Sequence, residues 1–305
     1  MKQFEYTLDN KRYHTLNYYY KNKFNCKIAK ISLDAHFTCP NIDGKVGYGG
    51  CIYCKHTNTK TDLLKQFEEQ KRIIDNKWPN SKYIGYFQSN TNTYAPLRVL
   101  KEKYEFILNM PNIIGLSIST RPDAIEDDVL DYLEELNKKT YITIELGLQT
   151  IHEKTSKLIN RCHSLDCFTD MVSKLRQRKI DIVVHIINGL PNETKDMMLE
   201  TVKYISKLDI QGIKIHMLHI VKGTPLETYY KKHPFHILTK EEYIDIVCEQ
   251  LTLLPKEVVI HRLTGDPIKE DLITPSWVLK KVSVLNDIDK EMVKRNIYQG
   301  DKYNK

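Results

Sequence analysis

Short β-branched runs alternate along most of the chain with stretches whose apolar residues recur at helical spacing. The runs occupy residues 28–33, 83–87, 113–118, 141–146, 180–187 and 212–218, each closed by a polar or glycine-containing loop. Between them, residues 63–75, 97–108, 125–136, 166–178 and 197–208 place apolar side chains near every 3.6 positions, the period of a helix with one buried face. Parallel neighbours need a crossover, so strands spaced by helices predict βαβ units. Six such units predict an α/β fold, a partial TIM-type (β/α)6 barrel of parallel strands with N- and C-terminal extensions. The predicted divisions are an extension over 1–27, the barrel over 28–225, and a closing extension over 226–305. Within the last, residues 258–262 offer a further strand and 275–297 one or two closing helices.

In β/α barrels the loops after the strands carry the chemistry, because they vary without disturbing the core. Unusual polar residues should therefore follow each apolar run. The first run leads into Cys39, Cys51 and Cys54, a C-x11-C-x2-C pattern in a loop that also holds Gly44, Gly47, Gly49 and Gly50. Two cysteines three apart grip one metal centre from a single turn, and the glycines permit positive φ and close approach to a bulky group. Three thiolates suit a zinc ion completed by a histidine, with His36 and His56 near enough in sequence, or an iron–sulfur cluster with one iron lacking a protein ligand. The segment by itself leaves both open.

Composition narrows the class. With 41% hydrophobic residues and a mean hydropathy of −0.46, the chain has material for a core and does not read as disordered. No apolar run approaches the ~20 residues that span a bilayer, and residues 1–14 lack a signal-peptide core, so a cytoplasmic location without membrane attachment is expected. Seven cysteines, an odd number in 305 residues, argue against a complete disulfide framework. The net charge of +7 leans towards polyanionic partners. Residues 1–31 carry seven Lys/Arg, including Lys2, Lys11, Arg12, Lys21 and Lys23, with Tyr6, Tyr13, Tyr18, Tyr19 and Tyr20 among them. Such a segment is either a docking surface for unpaired nucleotides or a flank whose tyrosines pack on the domain.

The residues after the runs carry a resemblance. Residues 34–44 (DAHFTCPNIDG), 86–96 (YFQSNTNTYAP), 117–123 (SISTRPD), 144–150 (IELGLQT), 185–191 (HIINGLP), 214–225 (KIHMLHIVKGTP) and 262–266 (RLTGD) all follow or close an apolar run. The pattern resembles the radical S-adenosylmethionine (SAM) superfamily. Its long first cysteine spacing is similar to the Elongator-catalytic-subunit-like branch and its YtqA/YhcC group. Cys162 departs from the pattern, standing where that group has Gly.

The resemblance implies a [4Fe–4S] cluster on Cys39, Cys51 and Cys54, and SAM, which the reduced cluster cleaves to a 5′-deoxyadenosyl radical. It implies SAM contacts from Tyr53 at the adenine, from Gln88, Ser89 and Asn90 at the amino group, and from Ser119, Arg121, Gln149 and Leu218. Glu145 would hold the ribose diol and Arg161 the methionyl carboxylate. His185 and His216 are candidate catalytic groups, with His219 on the opposite strand face. Cys26 and Cys248 have no partner by spacing and read as small buried hydrophobes. The group's implied substrate is tRNA, at wobble uridine. Its MnmL-type members are associated with converting 5-carboxymethylaminomethyl-uridine to 5-aminomethyl-uridine, with electrons from a donor such as flavodoxin or ferredoxin. Two other readings are a radical SAM enzyme acting on a small metabolite or protein side chain, and a zinc-stabilised nucleic-acid-binding module.

Overall fold

The computed structural model describes residues 4–55 and 59–303. The strands are β1 (Ile28–Leu33), β2 (Lys82–Phe87), β3 (Ile113–Thr120), β4 (Tyr141–Gln149), β5 (Asp181–Asn188), β6 (Gly212–Met217), β7 (Ile220–Val221), β8 (Val259–Arg262) and β9 (Leu272–Thr274). The helices are α1 (Leu16–Phe24), α2 (Leu63–Lys77), α3 (Leu97–Leu108), α4 (Asp127–Lys139), α5 (Glu153–Leu158), α6 (Leu165–Gln177), α7 (Lys195–Ile205), α8 (Pro225–Lys232), α9 (Lys240–Leu253) and α10 (Lys281–Lys294). Among the described residues, one seven-stranded sheet runs in the order β1-β2-β3-β4-β5-β6-β8, and every pairing in it is parallel. The six runs of the sequence are its first six strands, and the run at 258–262 supplies the seventh.

Side chains show that this sheet is curled. Neighbouring strands lie about 4.8 Å apart, so β1 and β6 would be far apart in a flat sheet. Yet Lys30 of β1 and Lys214 of β6 both reach the carboxylate of Glu145 on β4. The lumen thus takes alternate residues of each strand. The other face buries Ile31, Leu33, Phe87, Ile118, Ile144, Leu146, Val184 and Ile215 against the helices. Capping sets where those helices begin: Asp62 accepts from Lys65 N, Ser164 from Cys167 N and Thr194 from Met197 N, satisfying amides that have no partner within the helix.

The N-terminal segment closes the end of the barrel away from the strand C-termini. Tyr20 and Phe24 of α1 meet Tyr141, the first residue of β4, with ring centroids 6.4 and 5.3 Å apart. Lys23 lies 3.6 Å from Asp181, the first residue of β5. Ahead of the helix, Thr15 bridges to Ile260, and Ile260 N donates to His14 O at 2.8 Å, covering the free edge of β8. Arg12 is buried, its guanidinium 4.3 Å over the Tyr298 ring and bonded to Asn296 Oδ1 at 3.2 Å. Lys11 pairs with Asp289, and Tyr13 and Tyr20 are buried.

These contacts fit the packed-flank reading of residues 1–31 for Arg12, Tyr13 and Tyr20, while Lys21 and Lys23 stay exposed. The tyrosines pack on the domain, Arg12 is an internal strut, and the segment sits opposite the cysteine loop. Lys2 lies outside the described residues. Two helices without a sequence signal explain themselves here. The apolar side chains of α1 are mostly tyrosines, and α9 buries Tyr243, Ile244, Ile246, Val247, Cys248, Gln250, Leu251 and Thr252, too many directions for one amphipathic stripe.

Arg12→Met should lower the unfolding free energy by about 2 kcal/mol, the scale of lost hydrogen bonds from a charged donor. Urea denaturation measures it. Unchanged stability together with weakened, less salt-dependent tRNA binding would restore the docking role.

Candidate functional site

The loop after β1 is fixed at its start by Asp34, whose carboxylate accepts from His36 N at 2.9 Å and Thr59 N at 3.1 Å. Gln66 of α2 brackets the same residue, accepting from Asp34 N at 2.8 Å and donating to Asp34 O at 2.9 Å. Farther along, Asn41 donates to Asn160 O at 2.6 Å and to Cys51 Sγ at 3.8 Å. Asn160 returns two bonds, to Tyr48 O at 3.0 Å and Gly50 O at 2.8 Å. The cysteine loop is thereby stitched to the connection that follows β4. Gly47 is required by this closeness: a Cβ there would lie 2.3 Å from Asn41 Oδ1 and 2.9 Å from Cys162 Sγ. Cys162 has φ +63°, so it adopts the left-handed conformation that glycine takes most easily.

Within the loop, Cys54 N donates to Cys51 O at 2.9 Å, the single turn implied by the two-residue spacing. The two thiols also share a hydrogen bond. That bond, aided by the Arg121 guanidinium, brings Cys51 down to about 6 against the effect of burial. The same bond and burial push Cys54 up, with Cys51 and Cys39 adding to the rise. All three thiols thus lie within electrostatic reach of one another. His36 is exposed and bonds Thr61 O at 3.3 Å, and His56 lies outside the described residues. Among the described residues, no three His, Cys, Asp or Glu side chains are arranged to hold a single metal ion. An all-thiol set spread along a loop with positive φ at Gly44, Gly49 and Gly50 fits a multi-iron cluster, whose ligands stand around a body larger than one ion.

Beside the cysteines lies a small apolar cluster. Tyr53 and Ile52 pack with Ile159, Ile187, Leu190 and Leu218 in a cluster separate from the main core, so the structure brings two of the expected SAM contacts, Tyr53 and Leu218, together. Gln88 and Ser89 line a cavity of about 290 Å³ with Ser32, Asp34, Thr59 and Gln66. Asn90 and Gln149 have φ +61° and +62°, and the Gln149 side chain lies close over Gly147. Arg121 grips Asp123 through two bonds, at 2.9 and 2.7 Å, and donates to Arg161 O at 2.8 Å. Arg161 is itself buried and donates to the carbonyls of Leu148, Thr150 and His163 at 2.6, 2.5 and 3.0 Å. It braces the turn after β4, and Arg121 is the more strongly felt guanidinium at Cys51.

The lumen holds a charged network around Glu145, whose side chain is fully buried. Its Oε1 accepts from Lys30 Nζ at 2.6 Å and Ser117 Oγ at 2.7 Å. Its Oε2 meets His185 Nε2 at 2.9 Å, Ser119 Oγ at 3.2 Å and Lys214 Nζ. Tyr86 OH accepts from Lys214 at 2.9 Å and from Ser119 at 3.1 Å. A ribose diol would reach this carboxylate only by displacing part of that set, starting with the serine hydroxyls. Burial opposes the charge of Glu145, but Lys214 and Lys30 outweigh it and hold the carboxyl well below its usual range. Burial brings Lys214 down to about 7. His216 stacks on His185 with centroids 5.6 Å apart, and burial keeps it neutral. His219 lies past the end of β6 and bonds Met217 O at 3.3 Å.

Sequence reasoning missed Lys30, Tyr86, Ser117, Lys214, His261 and Arg262. The signal was available for the lysines: each interrupts an apolar strand, in 28–33 (IAKISL) and 212–217 (GIKIHM). The cost of an unpaired charge in an apolar strand, which singled out Glu145, applies equally to them.

His185 gives this network a pH dependence. Burial first, then Lys214, bring it down to about 4 from 6.5, against its bond to Glu145. Between those values the unfolded chain holds the extra proton, so stability falls as pH falls through the window. One proton corresponds to about 1.36 kcal/mol per pH unit. His185→Gln should flatten the fall in unfolding free energy between pH 6.5 and 4 by up to that slope, as read from urea titrations. An unchanged slope would contradict the assignment.

Comparison with known proteins agrees with the fold. Residues 47–205 match the family described as the Radical SAM superfamily, and residues 210–294 match the Radical_SAM C-terminal domain. The protein YtqA of Bacillus subtilis (strain 168) is 48% identical over 304 residues, covering 97% of this chain and 94% of its own. A tRNA uridine(34) acetyltransferase of Methanocaldococcus infernus is 26% identical over 156 residues, 50% of this chain and 29% of that protein. The solved structure of archaeal Methanocaldococcus infernus Elp3 aligns with a TM-score of 0.68 at 18% identity, over 90% of this chain and 64% of that one, a likeness of fold. No described helix is long and apolar enough to cross a membrane. A family match over more than half its length and a relative nearly half identical along almost all of it place this chain in the radical SAM superfamily, whose cofactors are a [4Fe–4S] cluster and SAM.

Proposed function

We propose that this enzyme acts on wobble uridine of tRNA, converting 5-carboxymethylaminomethyl-uridine to 5-aminomethyl-uridine. The observation that carries the reading is a cysteine loop with a small apolar cluster packed on it, at the end of a lumen lined with charge. Such a lumen suits a polar, ionic side arm more than an apolar substrate. Support for tRNA comes from relatives named as a tRNA uridine(34) acetyltransferase and as Elongator complex protein 3 of Saccharomyces cerevisiae, 24% identical over 161 residues.

Cys39, Cys51 and Cys54 hold the cluster, and Asn41 steadies Cys51 by its N–H to sulfur. Tyr53 and Leu218 flank the adenine, Gln88, Ser89 and Asn90 the amino group, and Ser119, Gln149 and Arg121 the remaining polar edge of SAM. Glu145 takes the ribose, and Arg161 acts through the turn it braces. When bound, the cluster and SAM supply a 5′-deoxyadenosyl radical that removes a hydrogen atom from carbon. The substrate loses that atom from the carboxymethyl methylene, beside its amine nitrogen. The carbon radical then gives one electron to an oxidised carrier of the flavodoxin or ferredoxin class, and the N–H proton departs, giving an imine. His185, with Nε2 held by Glu145, accepts the proton on its other ring nitrogen. Water splits the imine into the 5-aminomethyl group and glyoxylate. Electrons enter from a small donor such as flavodoxin or ferredoxin, over the rim where Tyr48 is 78% exposed.

Two measurements test this reading. Replacing Cys39, Cys51 or Cys54 by Ala should abolish the cluster, while Cys26→Ala and Cys248→Ala retain it, as read from iron per protein after anaerobic reconstitution. Full iron in Cys51→Ala would remove it from the ligand set. For the substrate, cells lacking the protein should accumulate 5-carboxymethylaminomethyl-uridine and lose 5-aminomethyl-uridine in mass spectra of tRNA nucleosides. An unchanged ratio would overturn the tRNA assignment.

A further inference from the structure

The lumen holds more positive than negative charge. Lys30 and Lys214 converge on a single carboxylate, Glu145. Arg262, the next nearest guanidinium, is paired with Asp266 at 3.2 Å and is also felt at Lys214. The lumen-facing histidines His185, His216 and His261 add no charge of either sign, since burial keeps them neutral. Both lysine side chains are largely out of solvent, 16% and 6% exposed, so water compensates the surplus poorly. Burial first, with Lys30 adding to it, depresses the titration of Lys214 against the pull of Glu145.

A second observation is independent of charge. His216 Nε2 and His261 Nδ1 are buried and have no hydrogen-bond partner. Native interiors satisfy nearly all such atoms. Both rings lie within electrostatic reach of Lys214 and His185, so the unsatisfied atoms and the surplus charge belong to the same space. Cations and free imidazole nitrogens together describe the complement of a carboxylate, which accepts several hydrogen bonds and brings one negative charge.

We propose that the lumen around Lys214, His216 and His261 is a binding site for the carboxylate of the substrate. The inference rests on the tRNA reading for the identity of that substrate, and it makes Lys214 the residue that distinguishes a carboxymethylamino arm from a neutral one. The arm reaches down the lumen with its carboxylate on Lys214. Its amine-bearing methylene is then held above, nearer the mouth where the cysteine loop lies. Lys30 remains with Glu145, so the network keeps its own neutral pair once the ligand has taken the other cation.

Two binding measurements on the reconstituted holoenzyme separate the site from the substrate class. In the first, anticodon stem-loops carry either 5-carboxymethylaminomethyl-uridine or its neutral carboxamide analogue at the wobble position. The wild type should prefer the carboxylate by about tenfold or more, the size of one charge-assisted hydrogen bond. Lys214→Met should abolish that preference with iron content intact, and Lys214→Arg should restore part of it. A preference retained in Lys214→Met, or absent from the wild type that binds both stem-loops, overturns the proposal. In the second, acetate is titrated at fixed ionic strength into the oxidised holoenzyme while imidazole NMR signals are followed. Acetate should shift His216 and His261 in the wild type and not in Lys214→Met. If acetate leaves them unmoved, the carboxylate site is wrong. If acetate shifts them but neither stem-loop binds, the site stands and the tRNA reading falls.

Discussion

A carboxylate cut off from solvent has to be neutralised where it stands, and Glu145 is the point at which this barrel meets that requirement. Its partners come from β1, β3, β5 and β6, every strand around it except β2 and β8, and β2 joins through Tyr86 and Lys214. Apolar packing on the outer face would tolerate a range of sheet curvatures. A charge network does not, because breaking one partner of a buried pair leaves an uncompensated ion. The curl of the sheet and the width of its lumen are therefore tied to one residue. In the function proposed above, the same residue lies between cofactor and substrate.

The mouth is organised by a different force. Asn41 and Asn160 exchange hydrogen bonds across two loops with no regular secondary structure between them, giving a glycine-rich loop a fixed position without side-chain bulk. Gly47 and Cys162 are complementary parts of that contact, since the thiol fills the space that a Cβ at residue 47 would need. This accounts for the departure at residue 162 by loop packing. The left-handed backbone is retained, and the small thiol lies in the loop contact.

Periodicity made the first six strands and most crossover helices legible, because each element buries one face and shows the other. It failed where burial lost that asymmetry, as in α9, or where the buried groups were aromatic and polar at once, as in α1. The cysteines were legible from spacing because a short covalent span limits where three thiols can go. The lysines of the lumen were not found, although they sit at alternate positions of apolar strands. Their partner, Glu145, is more than a hundred residues from Lys30, and no local pattern records a pairing across a barrel. The basic N-terminal segment was ambiguous for the opposite reason: composition shows the charge of Arg12 but not that Tyr298 and a helix C-terminus enclose it.

The two ends of the molecule consequently do different work. At the strand N-termini, α1, the Thr15 bridge and Arg12 seal the barrel with aromatic packing and ion pairs. A groove of about 820 Å³ lined by Phe4, Lys207, Tyr298 and Tyr303 lies at that end too, away from the cysteine loop. At the strand C-termini, loops set a thiol site beside a small apolar cluster, above a polar lumen. Glu145 is fully buried and Lys214 nearly so, and buried charges act in a low-dielectric space where they are strongest. A group that enters such a space meets those charges directly, and leaving them unpaired costs more than any apolar contact returns.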